Sequence, residues 1–99
     1  MRVLLWADME GMSRIADHRE CWPEFPRYWQ TGRRTFTGEV VAAATGLLHG
    51  GASAVLVVNG HGLGWPNVLW DELPERVAPP TTTPGARAST RCSRPWPGG

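Results

Sequence analysis

Two stretches decide the fold: Val3-Leu4-Leu5-Trp6, followed by Ala7-Asp8-Met9-Glu10-Gly11, and Ala54-Val55-Leu56-Val57-Val58, followed by Asn59-Gly60-His61-Gly62. Each is an unbroken apolar run that stops abruptly at Gly and polar residues. Such runs, four to eight residues long and rich in β-branched or aromatic side chains, predict strands buried on both faces. Between them Phe36, Val40, Val41, Ala44, Leu47 and Leu48 recur at spacings of three and four. That period predicts a helix over 32–49, starting near Thr31, with one buried stripe. Gly50-Gly51 ends it, because Gly accepts the left-handed conformation of a helix C-cap. Strand, helix, strand predicts a βαβ unit with parallel strands and a right-handed crossover.

Outward from this unit the pattern weakens. Residues 13–31 have no clear period and hold Trp22, Phe25, Tyr28 and Trp29. They predict an aromatic loop, either a lid or binding wall or a cover for a core or an interface. Asn67 to Val77 predicts a short second helix with Val68, Leu69 and Leu73 inward. From Ala78 the composition shifts to Pro, Thr, Arg and Ser, with almost no aliphatic residues. Residues 78–99 are therefore expected to be a disordered tail after a domain over 1–77.

The chain has 99 residues, enough for one small domain. Ten basic residues, all Arg, face nine acidic ones for a formal net charge of +1. That balance gives no electrostatic argument for a nucleic-acid partner. No apolar stretch approaches a membrane span and no secretory signal is visible, so the expectation is a soluble cytoplasmic protein. Cys21 and Cys92 are too far apart and too few for a disulfide framework and are expected to be free thiols.

The chemistry sits at the strand ends. Asp8 and Glu10 are two residues apart, so in extended backbone they point the same way. His61 lies just beyond the second strand. Parallel neighbouring strands would place all three on one carboxyl edge, where open α/β sheets carry ligands. Two carboxylates and an imidazole suit a divalent metal such as Zn²⁺. The alternative is a pair of solvated or capping carboxylates and a His that satisfies a turn.

Asp8-Met9-Glu10-Gly11-Met12-Ser13 resembles the opening motif of the zinc D-aminopeptidases of peptidase family M55. Gly32-Arg33-Arg34, Thr37-Gly38-Glu39-Val40 and Ala42-Ala43-Ala44 are similar to that family's first long helix. Val57-Val58-Asn59-Gly60-His61-Gly62 and then Asn67-Val68-Leu69 resemble its second motif. The match spans roughly residues 1–77. It implies that Asp8, Glu10 and His61 bind metal in a two-zinc centre, with Asp8 bridging. It also implies a metal-activated water, a short peptide with an N-terminal D-amino acid as substrate, and a ring-like homo-oligomer.

The chain departs from the family pattern in two ways. Asn59 and Gly60 stand where the family has Asp and a small polar residue, which removes a carboxylate able to orient the imidazole. The family's second His, its Glu ligand and its catalytic His lie further downstream than this sequence runs, and neither His18 nor His49 replaces them. Three ligands predict one weakly held ion and an inactive N-terminal fragment. The loss of aliphatic residues in mid-pattern leads to the expectation of a truncated or frameshifted gene. Sequencing the locus checks it, and no continuation in another frame would remove the idea. A core this small, with open strand edges, is also expected to be weakly stable or aggregation-prone. Two readings compete with the hydrolase. One is a creatininase-like metal amidohydrolase, which Asn59-Gly60-His61-Gly62 also resembles. The other is a non-enzymatic binding or assembly module built on Trp22, Phe25, Tyr28 and Trp29.

Overall fold

In a computed structural model of the chain, residues 1–81 are described, with side chains as far as Val77. The two apolar runs form strands as expected: β1 spans Arg2–Ala7 and β2 spans Ala54–Asn59. They pair in parallel, from Arg2 with Ala54 through Leu5 with Val57 to Ala7 with Asn59. The register therefore sets the two strand tips side by side.

A third strand, β3 over Val77–Thr81, runs parallel to β2 on its other side, so the sheet order is β1-β2-β3. β3 carries regular pairing four residues past the expected domain end at residue 77; residues 82–99, the rest of the expected tail, lie outside the described residues. The scarcity of aliphatic residues from Ala78 onward gives no sign of this strand, and it contains Pro79 and Pro80. Proline lacks a ladder donor, but an edge strand needs only one side of its backbone, and among the described residues β3 is such an edge. The pairing slips between Leu56 and Val58, where the prolines pass. β2 is flanked on both sides, contrary to the expectation of two open-edged strands, and every residue except Leu56 is buried.

The helix α1 spans Pro26–His49, five residues longer at its start than the period predicts. Pro26 occupies the first turn, where its missing N–H costs nothing and its fixed φ suits a helix. The early turns carry no apolar period, because their inward positions are Trp29, Gly32 and Arg33 rather than an aliphatic run. Further along, Phe36, Val40 and Ala44 are buried against the sheet. They meet Ala7, Val55, Val57, Val68 and Val77, which form the core. Full burial of a side chain such as Phe36 contributes about 2–3 kcal/mol.

The aromatic segment divides. A 3-10 turn covers His18–Cys21, and Trp22 stacks on Phe25 at 6.2 Å between ring centres. Tyr28 and Trp29 belong to α1 instead. The second helix expected over 67–77 is reduced to one 3-10 turn at Trp70–Glu72. Pro74 stops it, and Asn67 is committed to loop hydrogen bonds. Only one face of the sheet is covered by a helix among the described residues. On the other face Leu4 and Trp6 are 56% and 60% exposed.

Candidate metal centre

The centre is assembled by the tips of β1 and β2. The Gly60 amide donates to the Ala7 carbonyl at 2.6 Å, which ties the two loops together as they leave the sheet. A side chain at residue 60 would collide with the Trp6 indole and the Ala7 carbonyl, so this approach requires glycine. After β1 the chain turns instead of staying extended, with the Met12 amide donating to the Met9 carbonyl. Met9 is fully buried, and this turns its neighbours Asp8 and Glu10 toward solvent. The two carboxylates do point the same way, through this inward anchor.

His61 is 3% exposed, whereas Asp8 and Glu10 are more than half exposed. Its Nδ1 lies 3.1 Å from Asp8 Oδ1 and 3.1 Å from Glu10 Oε1. Its Nε2 lies 2.7 Å from the Cys21 carbonyl oxygen. A carbonyl only accepts, so Nε2 carries a hydrogen and donates it. In the neutral ring Nδ1 then presents a lone pair toward two carboxylates. Three acceptor atoms that converge in this way are favourable only with a cation among them, either a proton on Nδ1 or a metal ion.

The donor atoms of all three residues lie within 4.8 Å of one another. Ligand atoms in a tetrahedral zinc site are roughly 3.4 Å apart, from bonds near 2.1 Å, so the two 3.1 Å separations from His61 fit with little adjustment, and the exposed carboxylates would draw in from the 4.8 Å span of the whole set. The mixed nitrogen and oxygen donor set also suits zinc. Among the described residues the group comprises these three side chains. His18 is apart from it, paired with Asp17 and packed edge-on against Trp22. His49 ends α1, where a cation complements the helix dipole.

Residues beyond the expected trio hold it in place. Asn59 is fully buried, and its Oδ1 accepts from the His61 amide at 3.3 Å, not from the ring. The orienting carboxylate that the sequence lacks at this position is replaced by the Cys21 carbonyl. Asn59 Nδ2 has no hydrogen-bond partner among the described residues. Asn67, also fully buried, accepts from the Trp29 indole at 3.0 Å and donates to the Leu63 carbonyl at 3.0 Å. Thr37 of α1 accepts from the Leu69 amide at 2.9 Å. The loop carrying His61 is thus pinned to α1 at two points. In the sequence Asn67 is part of a motif and the start of an expected helix, neither of which signals this role, and a backbone carbonyl such as that of Cys21 leaves no sequence signal.

The Cys21 thiol is buried and, among the described residues, unbridged; Cys92 lies outside the described residues. Burial first, then the charges of Glu10, Glu20 and Asp8, push the Cys21 thiol up to about 11. It therefore stays a thiol near neutral pH, and its sulfur is not among the converging donor atoms. Beside the centre is a cleft of about 270 Å³ that Asp8 and Glu10 line together with Leu5, Trp6, Met12, Val40 and Glu39.

A parallel α/β sheet with acidic and imidazole donors at adjacent strand tips defines an α/β protein with a candidate metal centre on its carboxyl edge. The sequence model of the D-aminopeptidase family, peptidase family M55, matches residues 1–84, and the chain belongs to that family. No curated protein and no solved structure matches it. No helix among the described residues is long and apolar enough to cross a membrane.

Proposed function

We propose that this chain binds a divalent metal ion, Zn²⁺ being the best fit, through Asp8, Glu10 and His61, as the metal-holding part of a D-aminopeptidase-type hydrolase acting on short peptides. The convergence of a histidine lone pair and two carboxylates at 3.1 Å carries this reading. When bound, such an ion supplies Lewis acidity toward an amide carbonyl and a source of hydroxide near neutral pH. The residues of the chain do the rest. His61 is locked by burial and by its bond to Cys21, so it cannot swing away from the carboxylates. Asp8 and Glu10 keep their solvent-facing sides open toward the cleft.

The cleft favours a particular end of a peptide. It is lined by three carboxylates and no basic residue, between apolar walls. With a bound ion offsetting Asp8 and Glu10, Glu39 is the remaining anionic group of the cleft, and beside the apolar walls it favours a cationic group with a small apolar neighbour, as in a free peptide N-terminus.

Zinc titration of the purified chain, followed by calorimetry and metal analysis, tests the reading. One equivalent is expected to bind, with the affinity reduced at least tenfold in Asp8→Ala and in His61→Ala. Binding that is absent, or indifferent to both substitutions, refutes it. Hydrolysis of a D-alanyl anilide, compared with the L-isomer, tests the activity separately.

A further inference from the structure

The sequence of residues 17–21 carries a capping box. Asp17 accepts from the Arg19 amide at 2.9 Å, and Glu20 returns to accept from the Asp17 amide at 2.9 Å. The Glu20 side chain also accepts from the Ala16 amide at 2.8 Å. Reciprocal bonds of this kind hold a short turn rigid. The turn is then seated on α1 at Gly32. A Cβ there would fall on the Glu20 carbonyl, so backbone meets backbone with no room for a side chain. The next carbonyl, that of Cys21, is the one that receives His61 Nε2–H at 2.7 Å.

We infer that the Asp17–Cys21 turn, docked on Gly32, is the positioning device of the metal centre: it fixes His61 as the Nε2–H tautomer, so that Nδ1 is the nitrogen offered to the ion. This rests on the metal-binding reading for its consequence, but not for the tautomer itself. Asp17, Glu20 and Gly32 are positioning residues, acting on the ion only through Cys21 and His61. A ligating histidine commonly has its other nitrogen held by an outer acceptor, and loss of such a partner costs 10–100-fold in metal affinity. Here the acceptor is a main-chain atom. It cannot be mutated away, so its position is set by the turn beneath it.

The test uses the full chain with ¹⁵N-labelled histidine, observed at a pH where the His61 ring is neutral. In the metal-free protein the His61 Nε2 signal is expected in the protonated range and Nδ1 in the unprotonated range. Added Zn²⁺ should shift Nδ1. In Gly32→Ala the two tautomers should mix, and zinc affinity should fall by about tenfold or more. Asp17→Ala loosens the same turn from its exposed side, so it carries the test if Gly32→Ala fails to fold. Asp17→Asn keeps a capping oxygen and should restore the single tautomer. Folded variants that keep the pure Nε2–H tautomer and wild-type zinc affinity overturn the inference, as does a wild-type chain whose Nε2 is unprotonated. If zinc does not bind the wild-type chain, the metal reading fails on its own, and the tautomer result still decides the role of the turn.

Discussion

Asn67→Ala should be among the most damaging single changes that leave the metal donors untouched. The fully buried amide has three oxygens within reach of Nδ2, those of Leu63, Gly64 and Asn59 at 3.0, 3.3 and 3.4 Å. Two hydrogens can serve two of them at once. With the bond accepted from Trp29, three hydrogen bonds are lost, each with a net contribution of about 1 kcal/mol. The part-buried Trp29 N–H then has no acceptor, so the expected loss is about 3–4 kcal/mol. A domain of this size has a total stability of about 4–12 kcal/mol, from 0.05–0.15 kcal/mol per residue. The variant should therefore sit close to the edge of folding. Urea unfolding followed by tryptophan fluorescence measures the difference. In the same samples the His61 signals should broaden, because the loop that carries the ring loses its tie to α1. A loss below about 1 kcal/mol would mean that water replaces the amide at no cost, and the pinned-loop account would be wrong.

Three further outcomes follow from other parts of the molecule. The Asp17 carboxyl is held well below the usual carboxylate range, first by the side-chain hydrogen bond from Arg19 and next by the Arg19 amide. A depressed folded-state value contributes stability that is present above the unfolded value of about 4 and is lost as pH falls through the lower folded value. Urea midpoints measured from pH 5 downward should accordingly fall more steeply for wild type than for Asp17→Asn. Gly60→Ala forces a methyl group onto Trp6 and the Ala7 carbonyl, and should destabilise the chain by about 1–3 kcal/mol in the same assay. Leu4→Lys places a charge on the sheet face that no described helix covers, beside the edge of β1 that no described strand pairs; sedimentation velocity should show less self-association than wild type, with the melting temperature little changed.

The parts legible in the sequence are those written in side-chain periodicity. β1 and β2 announced themselves as apolar runs, and the Phe36-to-Leu48 stripe announced α1. The site followed because Asp8, Glu10 and His61 each stand just past a strand end, and parallel register brings such ends together. What stayed hidden depends on other physics. The first turns of α1 carry Trp29, Gly32 and Arg33 inward, a mixture with no apolar period. β3 is defined by pairing with β2, and its prolines mimic a break. Residue 59 carries no carboxylate to orient the ring, and a main-chain oxygen 40 residues from His61, that of Cys21, receives its Nε2–H instead. Asn67 was read as a helix start because its four partners are loop carbonyls, a neighbouring amide and an indole brought close only by the fold.

The donors of the centre are far apart along the chain, with Asp8 and His61 separated by 53 positions. Any ion that bridges them acts as a reversible cross-link between the opening strand and the middle of the polypeptide. Because the unfolded chain cannot gather these donors, each tenfold rise in free ion above the dissociation constant adds about 1.4 kcal/mol to the folded state. For so small a domain, the metal supply of its surroundings then becomes a determinant of how many molecules are folded at all.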